Sequence, residues 1–230
     1  MEVTLKDYMG SDLAVVNAAR VSFGKESNWA QGEWDEDQDG MFLKTDLAEK
    51  DQKLIKYLAK HGHYSPFGHS FASFHIKAPI FVCRQLVKHE YLRMNEISRR
   101  YVETETEFYF PTEWRGKSKD KKQGSEGVLN DPAIGDWSRS ACTSSLGCYR
   151  QLLERGVAPE QARMVLPVNT YTEWYWSGSL DAFANMYNLR AKPDTQLETQ
   201  VIAKKLGTIM QELYPYSWTA LTTKEALTNG

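Results

Sequence analysis

SFASFHIKAPIFVCRQLVKHEYLRMNEISRRY, residues 70–101, is the passage on which the fold turns. Its first ten residues alternate well enough between apolar and polar to predict a strand that Pro79 ends. From Ile80 the composition becomes helix-forming, and Ala78-Pro79 can start a helix because proline is tolerated in a first turn. The later part is dense in hydrogen-bonding groups. On a helix, Gln85, Lys88 and His89 would lie on neighbouring faces. Ser98 and Arg100, two apart, face the same side of an extended chain and could together hold a phosphate.

Upstream, DLAVVNAARV predicts a short amphipathic helix, and residues 46–60 a second with Leu47, Leu54, Ile55 and Leu58 as its stripe. Thr45 or Asp46 can cap that second helix and Gly62 can stop it. GHYSPFGHS follows as a turn. Downstream, EFYF at 107–110 suggests a strand, 137–155 a helix and Pro159 the start of a short helical turn. Asn169–Ser177 is aromatic and Thr-rich, as strands are. Leu180–Leu189 and Gln196–Leu213 read as helices. Residues 24–45, with their acidic run, and 115–130, with their lysines, read as exposed loops. No repeat or long linker divides the 230 residues, which form one α+β domain, 1–230.

Composition narrows the function classes. Lysine and arginine number 28 against 30 aspartate and glutamate, a net charge of −2, so any anion site must be local. That balance argues against a non-catalytic nucleic-acid binder using the 84–101 and 115–122 basic segments. No apolar run approaches the ~20 residues of a membrane span, and MEVTLKDYMG lacks the pattern of a secretory signal. Three cysteines without a C-x-x-C pair suggest a reducing, cytoplasmic setting. The spacing of His61, His63, His69, His75 and Cys83 matches no common zinc pattern, so no metal is expected.

Five cations in eighteen residues, Arg84, Lys88, Arg93, Arg99 and Arg100, allow two readings. Spacing alone favours a surface helix laced with ion pairs over an anion site. The apolar lead-in IFVCRQLV pulls the other way, because Arg84 and Gln85 interrupt a stretch that looks buried and would need partners, a ligand phosphate or an internal carboxylate. Arg163 and Arg190 have the same character, although Arg190 may equally complement a helix C-terminus.

These residues resemble the flavin-dependent thymidylate synthases, which make dTMP without a catalytic cysteine. The family signature reads R-H-R, seven residues, then S, ending N-E-x-S-x-R-Y. The chain has Lys88-His89-Glu90, then YLRMNEI, Ser98, and the tail Asn95-Glu96-Ile97-Ser98-Arg99-Arg100-Tyr101. Matching blocks also lie at 12–23, 61–69, 74–85, 161–176 and 188–196, in the right order.

The resemblance implies a central antiparallel or mixed sheet flanked by helices, and a homotetramer whose active sites are shared between subunits. It implies dUMP as substrate, FAD as cofactor, NADPH as reductant and methylenetetrahydrofolate as carbon donor. Gln85, Lys88, Ser98, Arg99, Arg100, Arg163 and Arg190 are implied for the nucleotide, with Arg190 catalytic through the uracil ring. Ser65, Lys88, His89, Glu90, Glu96, Ser179, Asp181 and Asn185 are implied for the flavin. The departures from the family pattern fall on the flavin or folate side: Lys88 and Glu90 stand for the two signature arginines, Ser179 and Asp181 for an Asn and an Arg, and Gly68 for a common Glu. Two cations have become anions there, which weakens attraction for a diphosphate unless Arg93 or Arg99 compensates. A related C5 methylase or hydroxymethylase of another pyrimidine nucleotide is the alternative on the same scaffold.

Cys83, inside IFVC, reads as core rather than as a nucleophile.

Overall fold

The computed structural model describes residues 1–30, 33–37, 40–44, 46–98, 100, 105–119 and 124–223. Arg99, Tyr101 and Thr45, named above, lie outside them. Four strands form one antiparallel sheet in the order β1 (Glu2–Met9), β4 (Phe71–Pro79), β8 (Tyr171–Ser179), β5 (Leu92–Glu96). The two central strands are the two whose alternation is plainest in the sequence. Ala72, Phe74, Ile76 and Ala78 of β4 and Thr172, Trp174 and Trp176 of β8 are buried on one face. Residues between them, such as His75, Lys77, Glu173 and Tyr175, occupy the other face, because successive side chains of a strand point to opposite sides.

Helices cover the buried face. They are α1 (Asp12–Arg20), α2 (Glu49–Lys60), α3 (Ile80–Leu86), α6 (Leu180–Arg190), α7 (Leu197–Leu213) and α8 (Pro215–Thr222). Phe183 of α6 is the keystone of the sheet–helix contact. Its ring meets Phe74 edge-on at 5.3 Å and Trp176 at 5.4 Å, and it is 0% exposed. Phe183→Ala is expected to cost about 3–5 kcal/mol of unfolding free energy, read by denaturant titration. A loss below about 1 kcal/mol would mean that the core collapses into the space.

Each central strand runs straight into a helix. Pro79 (φ −66°) turns β4 into α3, whose first two free amides, Ile80 and Phe81, donate to the carbonyls of Thr170 and Val168. Ser179 turns β8 into α6, and the Leu180 amide donates to Ser70 O at 2.8 Å. Four amides at each helix start lack intrahelical acceptors, so these loop carbonyls satisfy groups that burial would otherwise strand. The strands are antiparallel, so the two helices set off from opposite ends of the sheet and their C-termini meet.

Two buried carboxylates tie helices together. Asp12 accepts from the Tyr216 and Ser217 amides (both 2.9 Å) at the start of α8, where a carboxylate suits the helix dipole. Burial raises its pKa, with those amides opposing. Asp51, fully buried, accepts from Arg20 Nε at 3.1 Å and Ser27 Oγ at 3.1 Å, tying α1 to α2.

Several sequence expectations are corrected. Within 24–45, read as loop, β2 (Glu33–Asp37) and β3 (Gly40–Lys44) form a hairpin. Within 115–130, β6 (Arg115–Lys117) and β7 (Ser125–Val128) form another. Residues 107–110 contribute a single bridge, Phe108 to Thr170, not a strand. Residue Ala48, without a side-chain bond, caps α2, while Asp46 accepts from the Leu47 amide and the Tyr216 hydroxyl. Helix α3 does not reach Lys88 and His89, considered above on a helix: it stops at Leu86, and Lys88–Tyr91 is a turn leading to β5. The remaining helices are α4 (Pro132–Glu154) and α5 (Pro159–Ala162). No helix among the described residues is long and apolar enough to cross a membrane.

Candidate active site

Two polar cavities lie against the sheet–helix junctions. The first, about 620 Å³, is bounded by Arg84, Glu96, Ser98, Arg100, Glu160 and Arg163, with Ile80, Met164 and Val168 as apolar wall. Strand β5 delivers Glu96, whose Oε1 accepts from Thr172 Oγ1 at 2.6 Å. Ser98 and Arg100 follow and lie close together: Arg100 Nε donates to Ser98 Oγ at 3.2 Å. Arg163 comes from the 3₁₀ turn after α5. Three guanidiniums against two carboxylates leave a cavity with a net positive charge, suited to a phosphate. Arg84 is exposed on α3, contrary to the expectation that it is buried; the seven-residue helix turns only Val82, Cys83 and Leu86 inward.

The second cavity, about 520 Å³, is bounded by Gln85, Lys88, Arg115, Ser125, Arg190 and Gln196, with Asp194 and Thr195. Helix α6 ends in Arg190, where a cation suits the C-terminal dipole. Its guanidinium is held twice: Nε donates to His89 Nε2 at 2.9 Å and Nη2 to the Gln85 carbonyl at 3.1 Å. The Gln85 side chain finds its partners within the chain, donating to Gln196 Oε1 and accepting from Thr199 Oγ1 at 3.1 Å. Because α3 stops early, Lys88 reaches this cavity, and His89 reaches Arg190, from a turn rather than from a helix face as expected. Burial, then the nearby Arg190 charge, lowers the His89 pKa to about 4. The imidazole is therefore neutral at physiological pH.

Arg115 and Ser125 are site residues that the sequence reading missed inside a supposed loop. Arg115 donates through Nε to Ser125 Oγ (2.8 Å) and through Nη2 to the buried Glu198 (2.6 Å). Burial would raise the Glu198 pKa, but its own backbone N–H and Arg115 hold it below the usual carboxylate value. The three-residue strand that presents Arg115 is too short to show an alternation.

Ser65, Ser179, Asp181 and Asn185 gather elsewhere. The 3₁₀ turn Ser65–His69 packs on α6, whose cap is Ser179 and whose outer residues include Asp181 and Asn185. Asp181 Oδ1 is buried and has no hydrogen-bond partner among the described residues. Glu90 is exposed in the turn. Within one protomer, then, Ser98, Arg100 and Arg163 share one cavity and Gln85, Lys88 and Arg190 another; the side chains implied for the nucleotide do not converge on one cavity.

No cysteine lines either cavity. Cys83 is core, as expected, and burial pushes its thiol up to about 12, which removes the thiolate a nucleophile needs. Two basic cavities without a nucleophilic thiol agree with what comparison finds. Residues 4–216 match the family described as thymidylate synthase complementing protein. The chain belongs to this family. It is 41% identical over 218 residues to the flavin-dependent thymidylate synthase of Thermus thermophilus, covering 95% of this chain and 74% of the relative. It is 40% identical over 220 residues to that of Thermosipho africanus, covering 94% and 88%. Among solved structures, a UMP/dUMP methylase, PolB from Streptomyces cacaoi bound with 5-Br dUMP, is similar with a TM-score of 0.79 and 32% identity over 96% of this chain and 94% of that one.

Proposed function

We propose that the protein methylates dUMP at C5 to give dTMP, with methylenetetrahydrofolate as carbon donor and NADPH-reduced FAD as hydride source, in a homotetramer whose active sites are shared between subunits. The observation that carries this reading is the division of labour between the cavities. One offers three guanidiniums for a phosphate; the other offers an amide and the doubly anchored Arg190 for a pyrimidine edge. Two half-sites on one chain make a whole site when a second copy brings the phosphate half of one against the ring half of the other.

Exposed apolar surface supports self-association. Of the 23 residues of α4 only Cys142 and Tyr149 are buried, while Trp137 on α4 is 69% exposed and Met164 78%. Such surface is costly to leave in water.

Bound flavin would supply the hydride that no side chain can. The residues present fit it. Asp181 Oδ1, buried and without a hydrogen-bond partner among the described residues, is an acceptor for a ring N–H or ribityl hydroxyl, and Asn185 follows one turn later on the same face of α6. Lys88 and Arg190 supply positive charge on the ring side, offsetting the carboxylate of Glu90. Uracil C5 is a poor nucleophile, and without a thiolate its electron density must be raised electrostatically. Arg190, always protonated, stabilises negative charge at N3 or O4 rather than removing a proton itself.

Subunit mixing tests the reading. Arg100→Ala and Arg190→Ala proteins, each inactive alone, are unfolded and refolded together at equal amounts. Random assembly leaves about one quarter of two-subunit sites with both arginines, so dTMP formation should return to about that fraction of wild type. Wild-type protein that forms dTMP while the mixture stays inactive would refute shared sites. Wild-type protein that methylates UMP but not dUMP, by mass spectrometry of the nucleotide, would transfer the reading to the other pyrimidine nucleotide.

A further inference from the structure

We propose that Glu198 is a positioning residue for the second cavity: it fastens the β6–β7 hairpin to α7 through Arg115, so that the remaining N–H donors of that guanidinium meet an acceptor oxygen of the nucleotide. This deepens the function proposed above and rests on it for the identity of the ligand. Among the described residues the hairpin is a two-stranded sheet of its own, unpaired with the four-stranded one. A ribbon of that size is marginal alone, so its place beside the cavity depends on side chains that tie it down. Arg115 is such a tie. Its Nε donates to Ser125 Oγ on the facing strand at 2.8 Å, and its Nη2 to Glu198 Oε1 at 2.6 Å. Two of its five N–H donors are thereby used, and three are left for a ligand. Arg115, Gly124 and Ser125 line the cavity beside Lys88 and Arg190, whereas Glu198 stands outside its wall.

The carboxylate end of the pair is the fixed one. The Glu198 side chain is 5% exposed, against 25% for Arg115. It sits in the first turn of α7, where the helix dipole favours a negative charge. The Tyr109 hydroxyl also donates to Oε1, at 3.3 Å, while Oε2 is buried without a hydrogen-bond partner among the described residues. Swinging Arg115 away would strand a buried charge, which penalises arrangements of the hairpin that break the bond. The Gln196 side chain, just ahead of α7, holds Gln85. One helix start therefore sets both the Gln85 side and the Arg115 side of the cavity.

Flavin-loaded Glu198→Gln, Glu198→Asp and Glu198→Ala proteins test it. Glutamine keeps an acceptor at the same reach without the charge, aspartate keeps the charge one methylene short, and alanine keeps neither. KM for dUMP should rise about 10-fold in the alanine and aspartate variants and less than about threefold in the glutamine variant. The kcat should stay within about threefold throughout, because the grip acts equally on bound substrate and transition state. Tyr109→Phe removes the other side-chain bond to the same oxygen and should leave KM within about twofold; a general loosening of this region would not spare it. Arg115→Ala should raise KM about 10- to 100-fold, and adding Glu198→Ala should raise it no further, because the two act as one unit.

Glutamine as damaging as alanine, aspartate as benign as glutamine, a defect in kcat alone, or additive losses in the double variant would each overturn the inference. If the alanine variant does not fold, the glutamine–aspartate comparison decides. Wild-type protein that neither binds dUMP nor forms dTMP marks failure of the proposed reaction instead. The fastening is then still read from hydrogen exchange. The amides of Arg115–Lys117 and Ser125–Val128 should exchange about tenfold faster in Glu198→Asp than in wild type, with Glu198→Gln close to wild type; equal rates in all three overturn it.

Discussion

Arg190→Ala protein is expected to form dTMP at about 10²- to 10³-fold lower kcat than wild type, the range seen when one preorganised donor to a developing negative charge is removed. The side chain is half-buried, held by His89 and the Gln85 carbonyl, and sits at the end of α6 where the helix dipole already favours a cation. Its charge therefore costs little reorganisation when density builds on the uracil ring. Arg190→Lys should recover little, because lysine keeps the charge without the fork that makes two anchors and a ligand contact at once. Turnover assays under flavin and folate saturation check this, with circular dichroism to confirm the fold. An alanine variant within tenfold of wild type would remove Arg190 from the chemistry.

The second large effect belongs to the phosphate half. Arg100→Ala with Arg163→Ala should raise KM for dUMP by about 10²- to 10³-fold, since each charged hydrogen bond is worth about 1.5–3 kcal/mol and the two side chains share one cavity. The same double variant should handle deoxyuridine, which lacks the phosphate, no worse than wild type does. A defect that is equal for nucleotide and nucleoside would show that the arginines support the fold rather than grip the phosphate. Raised ionic strength should weaken dUMP binding to wild type more than to the variant.

The central strands are legible from residues alone. FASFHIKA and TEWYW alternate cleanly, and each carries its large apolar groups on one face. Strand β5 is not. Leu92 and Met94 face the core while Arg93 and Asn95 face away, but five residues of alternation vanish inside a run rich in helix formers. The turn from α3 into β5 is also hidden: Tyr91, just before the strand, takes a left-handed conformation (φ 63°) with no glycine or proline to announce it. The hairpins at 33–44 and 115–128 escape for a related reason, since EWDED and RGK display charge rather than alternation.

The candidate site shows the same split between local and distant information. The Ser98–Arg100 pairing follows from two-residue spacing and is present. The partners of Gln85, by contrast, lie more than a hundred residues away at the start of α7, and nothing near Gln85 points to them. A half-buried Gln85 needs a partner for its amide, but its neighbours in sequence do not say whether that partner is protein or ligand. Nor does spacing reveal that the phosphate and ring groups occupy separate cavities, because that depends on which ends of the sheet α3 and α6 leave.

Gly178 gives the Lys88–Tyr91 turn its seat. A Cβ there would stand 2.5 Å from the Leu92 side chain and 3.0 Å from the Tyr91 carbonyl, so the turn lies directly on bare backbone of β8. From that seat the middle residue of Lys88-His89-Glu90 is half-buried against Arg190, while Lys88 and Glu90 are exposed. A change of charge at either flank therefore leaves the packing of the turn untouched, whereas loss of the imidazole removes one of the two anchors of the guanidinium.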